Sequence, residues 1–300
     1  MSSNEPVFVF NGTTYLGGGS NANCTISVCP VELSIYGYRP SLPLSISLIA
    51  LYGVCGFVQI ALGWRYKTWG YMSAMLLGCI DEILGYVGRI LMYKNPWNHG
   101  GFIMQIVLIT IGPVFFSAAI YVMLSQIVTY ISPKHSRFDP RLFYYIFIPC
   151  DIVSLILQAI GGAMSSTSDG SSSAGVNIAL AGLAFQVATL VAFVAMTVDY
   201  FVRSREVWRS AHLPLKFKVF VSFLALATLL ILIRCCYRVY ELNEGYTRHS
   251  GALRDQTLFI ALEAAMVIAA AYALVIGHPG QVFYSGPRRL AGTGDDTTKE

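Results

Sequence analysis

Long apolar stretches, each near the length needed to cross a bilayer, alternate along this chain with short polar separators. A hydrocarbon core of ~30 Å takes about 20 apolar residues of helix. Windows of that kind fall near 43–63, 69–93, 102–131, 142–164, 175–202, 217–240 and 257–277, the third and fifth long enough to tilt or project. The separators have loop chemistry: Trp64-Arg65-Tyr66-Lys67, Asn95 to Gly100, Ser132-Pro133-Lys134-His135, a Ser/Gly-rich run from Ser165 to Gly175, and Glu241 to Asp255. No internal repeat is visible, so nothing supports the inverted-repeat plan of many secondary transporters. The pattern predicts an all-α, polytopic membrane protein. Its parts are an N-terminal tail over 1–42, a seven-transmembrane-helix bundle over 43–280 and a C-terminal tail over 281–300.

Composition agrees: 55% of the 300 residues are hydrophobic and only 12% charged, with a mean hydropathy of +0.59. So few charges cannot cover the surface of a soluble domain, which excludes a disordered chain, a nucleic-acid binder and an ordinary cytosolic enzyme. The net charge of +4 matters less than where the charges fall. With the N-terminus outside, thirteen Lys and Arg lie in cytoplasmic segments and four in outer ones, an asymmetry that assigns the bundle N-out, C-in. Residues 1–40 lack an apolar stretch preceded by basic residues, so the first span is expected to do the targeting. The sequons Asn11-Gly12-Thr13 and Asn23-Cys24-Thr25 fit an exported, glycosylated tail, at Asn11 and Asn23. In that oxidising setting Cys24 and Cys29 are placed to form a small disulfide, while the other five cysteines sit in spans as packing residues.

Ionisable residues inside spans are costly and normally face the bundle interior. The second span carries Asp81 and Glu82, and Glu82, Tyr86 and Arg89 share one helical face at i, i+4 and i+7. Gln105 lies in the third span, Asp151 and Gln158 in the fourth, Gln186 in the fifth, and Glu263 in the seventh. Arg234, Arg238 and Glu241 follow one face of the sixth. Together they predict a buried polar cluster, deepest at Glu82 and Asp151, that reads as a ligand pocket or translocation path. The competing reading is that these charges only fix helix register. Gly78, Gly85, Gly88 and Gly161-Gly162 read as close-packing positions, and Pro113 and Pro149 as kinks whose freed carbonyls need partners.

Missing residues narrow the chemistry. No histidine lies in the core of a span, which removes ligands for an intramembrane zinc or haem site, and no Cys/His cluster suggests one elsewhere. No lysine lies in the core of a span, Lys218 standing at the edge of the sixth, which excludes a retinal Schiff base, and no phosphate-binding glycine loop occurs. Neither an enzyme activity, nor a cofactor, nor a metal is expected. A G-protein-coupled receptor shares the topology, but Ser125-Gln126-Ile127 stands where its third helix carries Asp/Glu-Arg-Tyr, and its Asn-Pro-x-x-Tyr motif is replaced by a segment ending Gly277-His278-Pro279-Gly280.

An ordered series of motifs runs through the spans: Glu82-x-x-Gly85-Tyr86-x-x-Arg89; Gln105 with Pro113, Ala119 and Tyr121; and Phe147-x-x-x-Asp151-x-x-Ser154-x-x-x-Gln158-x-x-Gly161-Gly162. Gly182-x-x-x-Gln186, then Arg234-x-x-Tyr237-Arg238-x-x-Glu241-x-x-x-Gly245, and His278-Pro279-Gly280 complete it. The series resembles the fungal RTA-like family of seven-span lipid-translocating exporters and aminosterol-resistance proteins. Gln126 and Gln256 depart from the family pattern, which has arginine and glutamate there, so no role for charge carries over to either position. The resemblance implies movement of, or protection against, amphipathic lipids at the plasma membrane: sphingoid long-chain bases, phospholipids, toxic sterols and, for some members, porphyrins. A lipid sensor without flux remains open beside it. The expected partners are membrane lipids. A sphingoid ammonium would pair with Glu82 or Asp151, and an anionic head with Arg89, Arg234 and Arg238.

Overall fold

The computed structural model describes residues 7–10, 13–16, 24–34, 36–131, 139–167, 173–206, 214–244 and 255–283. Apolar runs of this length satisfy their own backbone only as helices when water is absent, and long helices dominate. They are α1 Leu42–Tyr66, α2 Trp69–Lys94, α3 His99–Ile131, α4 Leu142–Thr167, α5 Ser173–Arg203 and α6 Leu215–Glu244. A seventh, α7, runs through Gln256–Leu258, a π-helical stretch Phe259–Ala264, and Ala265–Ile276, before a short α8, Gly280–Phe283. Six of the seven long helices are long and apolar enough to cross a membrane, which makes this a multi-pass integral membrane protein. The helix outside that six is α2, whose apolar run is interrupted by Asp81, Glu82 and Arg89.

Helix ends follow local chemistry. The Ser41 hydroxyl accepts from the Leu44 N–H to open α1, and the Asp255 carboxylate accepts from Thr257 and Leu258 to open α7. Lys67, at φ 54°, closes α1 in the left-handed region, so only Lys67 and Thr68 separate α1 from α2. Two expectations change here. The loop expected from Glu241 starts later, because α6 continues to Glu244 with Glu241 buried against Arg238. The chain is also not purely α. Val7–Phe10 pairs antiparallel with Thr13–Leu16, Val7 opposite Leu16 and Phe10 opposite Thr13. Asn11-Gly12 between two runs rich in β-branched and aromatic residues, Val7–Phe10 and Thr13–Leu16, was the legible hairpin signal in the sequence.

Sequential helices run antiparallel, and glycines set how closely they approach. A Cβ on Gly88 would meet the Gln105 N at 2.9 Å and the Gly101 O at 3.0 Å, and one on Gly85 would meet Ile109 Cγ1 at 2.6 Å, so α2 lies nearly backbone to backbone on α3. Gly161 and Gly182 do the same between α4 and α5, where the Ala179 N stands 2.4 Å from the Cβ position of Gly161. Large apolar residues point outward: Phe57 on α1, Leu77, Ile80 and Leu84 on α2, Ile152 and Ile156 on α4, and Leu229 on α6 are exposed. A soluble protein hides such residues; here they form the surface that lipid covers. Cys24 and Cys29 are joined as a disulfide, and both pack with Trp97 at the end of the bundle where α1 begins. Asn11 and Asn23, and the tail from 284, lie outside the described residues.

Candidate functional site

Pro113 creates the first contact of the site. Lacking an N–H, it leaves the carbonyl of Ile109, one turn back on α3, without its helical partner. Arg234 of α6 fills that role: its Nη2 donates to the Ile109 carbonyl at 2.8 Å and to Glu263 Oε1 at 2.9 Å. The pair is wholly enclosed, Arg234 0% and Glu263 1% exposed. One turn along α6, Arg238 bonds Glu241, donates from Nη2 to the Thr110 hydroxyl at 2.9 Å and stands 3.8 Å from Glu263 Oε2. The π-helical stretch of α7 presents two residues to this chain of charges. Glu263 faces the α6 arginines, and Phe259 lies 3.8 Å beneath the Arg89 guanidinium.

Arg89 and Gln105 meet a segment that the sequence did not flag. Just ahead of α1, the Tyr38 hydroxyl accepts from Arg89 Nη2 and the Tyr36 hydroxyl accepts from Gln105 Nε2, both at 3.1 Å. Burial pushes both phenols above their ordinary pKa, with Arg89 pulling each partly back, so they remain hydroxyls. Arg39 holds the same segment down through the Tyr93 carbonyl at 2.9 Å. A Tyr-x-Tyr-Arg run immediately before a span was the available signal, since aromatic residues concentrate at membrane–water boundaries.

Glu82 differs from the other carboxylates. It is 1% exposed, lies against Gly112 of α3, and neither of its oxygens has a hydrogen-bond partner among the described residues. A Cβ on Gly112 would stand 2.6 Å from Glu82 Oε1, so that glycine makes room for the carboxylate. Tyr52 of α1 and Tyr86 of α2 stack nearby with ring centroids 6.1 Å apart, and their hydroxyls are likewise without a partner. Arg89 Nε and Nη1, Arg234 Nε and Nη1, and Gln105 Oε1 add to this concentration of unused donors and acceptors. Buried polar groups in native proteins are nearly always satisfied, so a local excess points to water or a ligand between them.

The remaining candidates form a second network on α3, α4 and α5. Tyr121 donates to Asp151 Oδ2 at 2.9 Å and Thr189 to Oδ1 at 3.4 Å, while Gln158 Nε2 reaches the Ser154 hydroxyl at 2.8 Å and Gln186 Oε1 at 3.0 Å. Both Asp151 oxygens are therefore engaged by hydroxyls. The single cluster expected from the sequence resolves into a charged one, holding Glu82, Tyr86, Arg89, Gln105, Arg234, Arg238, Glu241 and Glu263, and a neutral-partnered one, holding Asp151, Gln158 and Gln186. Among the described residues no group of three or more His, Cys, Asp or Glu is placed to hold a metal ion.

Residues 75–285, from within α2 to just past α8, match the family described as RTA1 like protein. The chain belongs to the RTA1-like family. Both polar networks lie almost wholly inside the matched segment, whereas Tyr36, Tyr38 and Tyr52 precede it. A yeast relative, "Sphingoid long-chain base transporter RSB1" of Saccharomyces cerevisiae (strain Lalvin EC1118 / Prise de mousse), is 29% identical over 288 residues, covering 83% of this chain and 75% of its own. "Protein RTM1" of Saccharomyces cerevisiae is 29% identical over 234 residues, 73% of this chain and 72% of its own. "Protein RTA1" of the same species is 27% identical over 240 residues, covering 71% and 75%. No solved structure matches this RTA1-like chain.

Proposed function

We propose that this protein carries amphipathic lipids with a cationic head, sphingoid long-chain bases foremost, across the plasma membrane. Head groups pass through the charged interior while tails stay in hydrocarbon. The observation that carries the reading is Glu82, a buried carboxylate with both oxygens unused beside two carboxylates that arginines already match. An ammonium is the complement such a group lacks. The named activity of the RSB1 relative supports the same substrate class.

In this reading all seven long helices cross the membrane. α2 turns Leu77, Ile80 and Leu84 to lipid and Glu82, Tyr86 and Arg89 to the interior, so its charges do not prevent insertion. The excess of Lys and Arg on one side orients the bundle N-out, C-in, with Tyr36 and Tyr38 at the outer mouth and a glycosylated tail beyond them.

The test is tolerance of cells to an added long-chain base at matched surface expression. Glu82→Gln loses the tolerance that the unaltered protein confers; unchanged tolerance overturns the reading. Purified protein that binds a labelled base in liposomes without moving it between leaflets assigns the pocket to a sensor instead.

A further inference from the structure

A second group of unused polar atoms lies at the opposite end of the bundle from Arg89. Gln59 of α1 is 0% exposed, and among the described residues neither its amide oxygen nor its amide nitrogen meets a partner at full hydrogen-bonding geometry. Thr68, at the start of α2, is buried with its hydroxyl unpartnered, and so is His278, 1% exposed, at Nε2. Gln59 and His278 gather around Tyr71, and Thr68 precedes the first turn of α2, which carries Tyr71. The His278 ring stands edge-on to the Tyr71 ring at 5.3 Å, Gln59 faces Tyr71, and the Tyr71 hydroxyl is already committed to the Leu274 carbonyl at 2.7 Å. His278 Nδ1 accepts from the Gly280 N–H at 3.0 Å, which leaves the ring proton on Nε2 as a donor with no partner among the described residues. Gly280 permits this turn to sit on Tyr66, since a Cβ there would stand 2.3 Å from the Tyr66 ring.

The chemistry of this group is the reverse of the charged one. It offers an N–H donor, an amide donor and acceptor, and a hydroxyl, and among the described residues the charged ones nearest in sequence, Arg65 and Lys67, are exposed. An ion there would lack a counter-charge and lose its hydration, whereas hydroxyl groups, which both donate and accept, match every unused atom. The two groups also share a seam. Tyr52, Cys55 and Gln59 fall at i, i+3 and i+7 on α1, and Cys55 faces Cys79 of α2, one turn from Glu82. Seven residues of helix place Gln59 roughly 10 Å along the axis from Tyr52.

We propose that Gln59, Thr68 and His278 form a second, uncharged head-group site that takes the hydroxyl groups of an amphipathic lipid, a station following Glu82 on the α1–α2–α7 seam. The proposal rests on the reading of Glu82 as the ammonium site. A sphingoid base carries both an amine and hydroxyls, so the two sites would read the two halves of one head in succession.

The experiment separates those halves with two probes on the full chain in nanodiscs. Octadecylamine has the charge without hydroxyls, and octadecane-1,3-diol has the hydroxyls without charge. Gln59→Leu and Thr68→Val each weaken diol binding about fivefold, the scale of one neutral hydrogen bond, and leave the amine within about twofold. Glu82→Gln does the opposite. Thr68→Val keeps side-chain shape, so it answers the question if Gln59→Leu fails to fold. Diol affinity unchanged in the folded variants, or amine and diol falling in parallel, overturns the uncharged site, as does a wild-type protein that binds the amine but not the diol. A wild-type protein that binds the diol with Gln59 dependence but no amine upholds this site and overturns the assignment of Glu82. Binding of neither probe overturns both.

Discussion

Two buried carboxylates, on either side of α3, show how differently this bundle treats the same chemical group. Asp151 is held by the hydroxyls of Tyr121 and Thr189, in a network that Ser154, Gln158 and Gln186 extend between α4 and α5. Glu82 has no such support, although Arg234 and Glu263 are committed to each other close by. Hydrogen-bonded polar groups between membrane helices act as local fastenings, while an unfastened one is a standing cost that packing alone does not explain. In the proposed reading the α4–α5 side is structural and the α2–α3–α6–α7 side meets the lipid head.

Stability measurements can break that contrast. The largest loss is expected from Arg234→Ala, which strands Glu263 and the Ile109 carbonyl at once; removing one partner of a buried pair costs about 3–5 kcal/mol, read as thermal unfolding of purified protein. Asp151→Leu comes next, because the Tyr121 and Thr189 hydroxyls lose their acceptor, a loss of about 1–3 kcal/mol. Gln158→Leu removes its contacts to Ser154 and Gln186 and costs about 0.6 kcal/mol, the mean for hydrogen bonds between membrane helices. The smallest change is expected from Glu82→Gln, which leaves no new group unpartnered: unfolding temperature holds or rises while lipid handling is lost. A Glu82→Gln protein destabilised as much as Asp151→Leu would erase the distinction between the two sides.

Much of this arrangement was legible in the sequence, for identifiable physical reasons. Apolar runs of set length form helices, so the seven windows fall on the seven long helices, with ends displaced by a few residues and most at Glu241, whose charge stays buried. The candidate polar residues inside the windows were expected to face inward, and all but the half-buried Gln158 are buried. What spacing along one helix could not reveal was which helix each residue faces. Spacing could not separate Asp151 from Glu82, whereas the contacts put Glu82 against Gly112 of α3 and Asp151 on the hydroxyls of Tyr121 and Thr189. One further feature has no signature within the spans: Tyr36 and Tyr38 reach the site from a polar tail. The free Ile109 carbonyl was marked by Pro113, but its partner, Arg234 on a distant helix, was not. The hairpin before Cys24 was readable from the Asn-Gly pair between two runs of β-branched and aromatic residues but was hidden by the dominance of helical windows.

The central claim is that Glu82, and not Asp151, is the group that meets the lipid head. Leaflet-resolved movement of a labelled sphingoid base in proteoliposomes tests it most directly, with wild-type, Glu82→Gln and Asp151→Asn proteins compared at equal amounts of folded protein. The account predicts that wild type moves the base, that Glu82→Gln reduces movement at least about tenfold, as loss of one buried charge–charge contact implies, and that Asp151→Asn stays close to wild type. Equal losses in both variants, or a Glu82→Gln protein that moves the base at the wild-type rate, would contradict it.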